Sequence, residues 1–141
     1  MKKINYYITD VFTDKQFGGN QLAVIPDGKG LNGELMQKIA REFNFSETTF
    51  VTPPDNPEND CKVRIFTPGN EVPTAGHPTI GTTFILMSEE LLSPKKSGRI
   101  IMEQKVGDIL VNFKKEGNAY NSITMFQPLP EFGRVHENIS L

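Results

Sequence analysis

Cysteine and histidine are scarce in this chain: among 141 residues there is one cysteine, Cys61, and two histidines, His77 and His136. A single thiol excludes an internal disulfide and makes the cytoplasm the default location. So few thiolate and imidazole groups argue against a dedicated metal centre. No apolar run reaches the ~20 residues that a membrane-crossing helix needs. The opening MKKINYYITD also lacks the long apolar core of a secretory signal. Charge of one sign is lacking too, with 15 Lys and Arg against 17 Asp and Glu and a formal net charge of −2. Without a basic stripe interleaved with aromatics, nucleic acid is not an expected partner. No membrane is expected as one either, and no internal repeat or low-complexity segment occurs. What remains is a chain 37% hydrophobic and 23% charged, of a length that suits one domain with a real core.

Ile4, Tyr6 and Ile8 alternate with Asn5, Tyr7 and Thr9, which predicts a strand with one buried face. Asp14 to Asn20 reads as a turn in which Gly18-Gly19 permits positive φ. Gln21 to Ile25 is a second short apolar run ended by Pro26-Asp27-Gly28, and a hairpin between the two strands is expected. Leu31 to Phe43 predicts an amphipathic helix capped by Asn32, with Leu35, Met36, Ile39, Ala40 and Phe43 as its core stripe. Glu47 to Thr52 and Lys62 to Phe66 read as strands around a proline-rich polar loop, Pro53 to Asp60. Ile80 to Met87 is nearly all apolar or small, the pattern of a helix buried on most sides. Arg99 to Lys105, Ile109 to Lys115 and Ala119 to Gln127 read as a meander with turns at Gly107-Asp108 and Gly117-Asn118. The expected class is α+β: antiparallel strands wrapped around one apolar helix, with an amphipathic helix outside. Residues 1–130 are expected to form a single domain and 131–141 a tail.

The stretch that runs from the fourth strand into the apolar helix, Arg64 to Met87, holds the first candidates for chemistry. A helix starting near Gly76, His77, Pro78 and Thr79 would aim free N–H groups and the positive end of its dipole at whatever precedes it. Small Ala75 and Gly76 admit a ligand close to the backbone, and His77 can change charge near neutral pH. That describes a site for a small anionic molecule; it equally describes a plain connection between a strand and a core helix. Glu47, flanked by Phe43, Phe45 and Phe50, is the leading acid/base candidate, because apolar surroundings make a carboxyl harder to ionise. The alternative is an exposed glutamate at a strand start. Asn20 either fixes a substrate or holds its own turn, and His77 either contacts a substrate or satisfies a nearby carbonyl. Cys61 reads as an inert strand residue, and Glu71 as a loop charge or a partner for Arg64.

Three stretches carry a resemblance: DVFTDKQFGGNQLAVI (Asp10 to Ile25), LMQKIAREFNFSETTFV (Leu35 to Val51) and RIFTPGNEVPTAGHPTIGT (Arg64 to Thr82). Together, in this order and spacing, they resemble the N-terminal half of the PhzF-like isomerases of phenazine biosynthesis. The resemblance implies a diaminopimelate epimerase-like fold, in which two like halves, each a barrel-like sheet around a central helix, face a cleft. It implies that Glu47 is the acid/base, that Gly76 and His77 line the substrate pocket with Pro78 and Thr79, and that Asn20 stands near it. It implies proton movement on a small carboxylated substrate with no metal or organic cofactor. Related epimerases place a catalytic cysteine before the glycine of this turn; here that position is Ala75, which favours a single-carboxyl shuttle. Family chains are about twice as long. A symmetric homodimer is therefore expected to complete the cleft, the alternative being a non-catalytic half-domain that binds a small anion or a protein, or a fragment.

Overall fold

A computed structural model describes residues 3–117 and 119–133 of the chain. Asn118 of the expected second turn, His136, and the expected tail from residue 134 onward lie outside the described residues.

The fold is α+β, as the sequence predicts: among the described residues eight strands form one curled sheet, with a helix on each face. Strands β1 (Tyr7–Val11) and β2 (Asn20–Ile25) form the expected antiparallel hairpin, in register from Tyr7↔Val24 to Val11↔Asn20. Helix α1 (Gly33–Phe43) then crosses to β3 (Glu47–Thr52), which pairs antiparallel with β4 (Cys61–Phe66). The short β5 (Glu71–Val72) pairs with β4 and leads into α2 (Gly76–Ser88). Strands β6 (Arg99–Gln104), β7 (Gly107–Glu116) and β8 (Ala119–Met125) complete the sheet as an antiparallel meander.

The sheet is not wholly antiparallel. Strands β2 and β3 run parallel, as do β4 and β6. The reason lies in the connections: parallel neighbours need a crossover, and α1 and α2 are the two crossovers. Helix α2 touches β1, β2 and β3 and also β8 at the other end of the strand order, so the sheet curls around it.

Each helix has its own core. Leu22, Val24, Val51, Val63, Ile65, Ile100, Met102 and Val111 pack with Ile85, Leu86 and Met87 of α2. On the other face Ile25, Phe50 and Phe66 pack with Met36 and Ala40 of α1. Burial on both faces explains why Leu22-Ala23-Val24-Ile25 is an unbroken apolar run rather than an alternating one. Both ends of α1 follow the local rules: Asn32 Oδ1 accepts from Leu35 N at 2.9 Å, and left-handed Asn44 donates its N–H to Ala40 O at 3.1 Å. Helix α2 is apolar around most of its surface, and its threonines hide their hydroxyls: Thr83 donates to Thr79 O at 2.9 Å, and Thr82 pairs with Thr49 of β3 at 2.8 Å.

Two local expectations are corrected. The face of β1 that meets α2 carries Tyr7, Thr9 and Val11, whereas Ile8 is 53% exposed and Tyr6 leans on Phe43 of α1. The register sets this phase, since Tyr7 and Thr9 pair with Val24 and Leu22 of the α2-side core, and Gly81 of α2 lets the strands come close: a Cβ there would come within 2.6 Å of Val11 Cγ2 and 2.7 Å of Leu22 Cδ2. In the β1–β2 loop, positive φ falls on Phe12 and Phe17, both at 63°, and not on Gly18 or Gly19. Asp10 Oδ2 accepts from Phe17 N at 2.8 Å and holds that conformation. Gly19 is required for space instead, since a Cβ would meet the Val11 carbonyl oxygen at 2.4 Å.

Candidate active site

The parallel register of β2 on β3 pairs Leu22 with Glu47, which puts the start of β3 beside the start of β2, where Asn20 stands. The first turn of α2 lies over the same corner. Three candidates far apart in sequence meet there. Asn20 Nδ2 lies 3.2 Å from His77 Nδ1, and His77 Nε2 lies 3.2 Å from Glu47 Oε2. Ser46 Oγ donates to Asn20 Oδ1 at 2.8 Å, which orients the Asn20 amide with its Nδ2 toward the ring. The roles of the two ring nitrogens follow the tautomer: if Nδ1 accepts from Asn20, the proton of the neutral imidazole sits on Nε2 and faces the carboxylate.

The contact between His77 and Glu47 is close but poorly aligned. Both Nε2 and Oε2 are buried and neither has a hydrogen-bond partner of good geometry among the described residues. Burial pushes the His77 pKa below its ordinary 6.5, against the opposing pull of the Glu47 charge and a hydrogen bond to the Gln21 backbone. His77 is therefore a neutral imidazole at pH 7.

Phe50, one of the phenylalanines that flank Glu47 in sequence, faces away from it. Its strand alternates, so Glu47, Thr49 and Val51 face α2 while Phe50 faces α1. Phe43 and Phe45 stack on each other, with Tyr6 against the edge of Phe43. The partner that Glu47 meets is the His77 ring, which Asn20 contacts from its other nitrogen.

Helix α2 begins at Gly76 with Ala75 as an extended N-cap that offers no side-chain cap, and no acidic residue occupies its first turn. The N–H groups of Gly76 and His77 have no carbonyl within the helix to bond, so the helix end favours an anion. Pro78 is buried and has no N–H to offer. Thr79 is also fully buried and points away from Glu47: its Oγ1 donates to Ala75 O at 2.7 Å and accepts from Gln104 Nε2 at 2.7 Å. Of the residues expected to line a pocket, Asn20, Gly76 and His77 stand with Glu47, and Pro78 and Thr79 support the turn from inside.

Three polar side chains escaped the sequence reading. Gln104 and Gln127 fall inside expected strands, Arg99 to Lys105 and Ala119 to Gln127, and Ser46 falls in none of the expected elements. Gln127 Nε2 lies 3.6 Å from where a Gly76 Cβ would stand, at the mouth of the helix end. Only the neighbour relation of Ser46 to Glu47 was visible in the sequence; the other two arrive through the sheet.

The remaining candidates have structural duties. Burial and the charges of Asp60 and Glu103 push the Cys61 thiol up to about 12, which leaves it inert. Arg64 makes two hydrogen bonds to Glu71, at 2.8 and 2.9 Å, and these hold the Glu71 carboxyl below the usual carboxylate range. Among the described residues no three His, Cys, Asp or Glu side chains gather as metal ligands would. No helix there is long and apolar enough to cross a membrane.

Residues 9–140 match the PhzC-PhzF family model, described as phenazine biosynthesis-like protein. The chain belongs to this family. Among its PhzF-like relatives, an uncharacterised isomerase of Mesorhizobium japonicum is 44% identical over 131 residues, which are 93% of this chain and 43% of that one. A trans-2,3-dihydro-3-hydroxyanthranilate isomerase of Pseudomonas aeruginosa is 38% identical over 125 residues, 89% of this chain and 43% of that one. The chain thus spans less than half the length of these relatives. The crystal structure of the Bacillus anthracis PhzF-family phenazine biosynthesis protein superposes with a TM-score of 0.75 at 36% identity, over 84% of this chain and 38% of that chain. A hydroxyproline epimerase from Agrobacterium vitis shares the fold alone, with a TM-score of 0.60 at 12% identity over 76% of this chain and 38% of that one. The expected diaminopimelate epimerase-like fold agrees with these neighbours.

Proposed function

We propose that this PhzF-like domain takes part in a cofactor-independent isomerisation in which Glu47 moves a proton between two carbons of a small carboxylated substrate. The observation that carries this reading is the meeting of Glu47, neutral His77 and Asn20 beside the uncapped end of α2. The N–H groups of Gly76 and His77 hold the substrate carboxylate. Glu47 as carboxylate takes a proton from one carbon, and as the acid returns it to another, so no net charge or electron is exchanged with the enzyme. His77, held neutral by burial, donates from Nε2 toward Glu47 or the substrate and holds the carboxyl in place. The substrate class follows the name of the Pseudomonas aeruginosa relative, a dihydroaromatic hydroxy acid.

A second wall for the cleft comes from a second copy of the chain, forming a homodimer in the cytoplasm. Phe12 and Phe17, 75% and 91% exposed on the loop that leads to Asn20, favour a covered surface at this corner. A second reading rests on the uncapped end of α2: a domain that binds a small anion, or a partner protein, without turning anything over.

The test is light scattering across a range of concentrations, followed by deuterium uptake from D2O into a dihydro-hydroxyanthranilate, read by NMR. A dimer whose exchange disappears in Glu47→Gln supports the proton-transfer reading. A monomer that binds anions but exchanges nothing supports the second.

A further inference from the structure

Gln104 is a buried polar side chain that the proton-transfer site does not account for. It is 7% exposed, at the end of β6, and its Nε2 donates to Thr79 Oγ1 at 2.7 Å. Thr79 Oγ1 in turn donates to the carbonyl of Ala75, the N-cap of α2, at 2.7 Å. The backbone bond that should close this first turn, Thr79 N to Ala75 O, is long at 3.4 Å. The side-chain chain therefore does much of the work of closing it. A second link runs from the same β6–β7 corner: Val106 N donates to Pro73 O at 3.2 Å, two residues before the cap. The corner thus grips the entry of α2 on both sides of Ala75.

Packing alone does not call for an amide here. Gln104 Oε1 is buried with no hydrogen-bond partner among the described residues, and burying a half-satisfied amide is costly where a Met or Leu would fill the space without that cost. The use made of the amide is its N–H, aimed at the first turn. We propose that Gln104 is a positioning residue of the candidate active site, holding the first turn of α2 through Thr79 so that the Gly76 and His77 N–H groups stay presented at the helix end and the His77 ring keeps its place beside Glu47. Its importance for turnover rests on the proton-transfer reading above; the link itself does not.

The test follows the His77 ring by NMR titration in the whole chain, with His136→Gln used to assign the two imidazoles. Gln104→Met removes the donor and keeps the length; Thr79→Val removes the same bond from the other side, and Thr79→Ser keeps the hydroxyl. With the turn loosened, water reaches the ring, and the depression caused by burial is relieved. The expected result is an upward shift of the His77 midpoint in Gln104→Met and in Thr79→Val, no larger in the double variant than in either single one, and absent in Thr79→Ser. An unmoved His77 midpoint in folded Gln104→Met overturns the proposal. If that variant does not fold, an unmoved midpoint in Thr79→Val, or an equal shift in Thr79→Ser, overturns it. A shifted His77 in a chain that exchanges no proton upholds the link and removes the proton-transfer reading instead.

Discussion

Asn20 and His77 are 57 positions apart in sequence, yet Asn20 Nδ2 and His77 Nδ1 stand 3.2 Å apart at one corner of the sheet. That contact fixes the face of the imidazole that turns to Glu47, and it makes the His77 ring a reporter on the whole corner.

The first prediction concerns the charge of Glu47. Its carboxylate raises the His77 pKa against the effect of burial. Glu47→Gln removes that charge and leaves the ring buried, so the His77 midpoint is expected to fall further below 6.5, measured by NMR titration. Any proton exchange the chain performs is expected to drop by about 10²–10⁴-fold, the usual worth of a positioned acid/base group.

Stability should depend on pH through the same ring. The folded His77 pKa lies below its unfolded value of 6.5, so between the two the unfolded chain binds more protons. The stabilisation is complete above 6.5 and is lost as the pH falls through that window toward the folded value. Urea denaturation from pH 7.5 to pH 5 is expected to show this loss (chosen to bracket the ordinary histidine range of about 6.5), and His77→Gln to flatten it.

Glu103 holds the loop of residues 53–60. It accepts from Asp55 N at 2.9 Å, from Asn56 N at 2.7 Å and from Asn59 Nδ2 at 3.1 Å. Burial pushes its carboxyl up, but these three donors outweigh it and leave the pKa below the usual range. Its stabilisation is therefore present above the unfolded value near 4.5 and lost as the pH falls through the folded one. Glu103→Gln, which turns an N–H₂ on one of those donors, is expected to cost about 1.5–3 kcal/mol in urea denaturation near neutral pH.

Gly19 precedes Asn20 and has no room for a methyl group, because the obstacle is the Val11 carbonyl oxygen at 2.4 Å and not a movable side chain. Gly19→Ala is expected to cost about 2 kcal/mol or more and to displace Asn20. The displacement should appear as a changed His77 Nδ1 resonance, whereas a change in stability with the ring signal intact would show that the loop yields without moving Asn20.

Much of this protein was determined by its sequence alone, because the signals were local. The amphipathic stripe and Asn32 cap of α1, the all-round apolarity of α2, the hairpin and the closing meander all follow from neighbours within a few residues. The linked motifs around Asn20, Glu47 and His77 pointed to the family, and residues 9–140 match it. Tertiary structure decided what depends on pairing at a distance. Two parallel strand pairs arise from helical crossovers, and one of them brings Asn20 beside Glu47. Pairing with β2 set the inward face of β1, because a pattern of period two is the same read from either phase. Phe50 faces away from Glu47, on the α1 side of the sheet, because positions an odd number apart on a strand point to opposite faces, and His77 comes to Glu47 from another element. Gln104 reached the first turn of α2 across 25 residues, through a hydrogen bond that only the curled sheet makes possible.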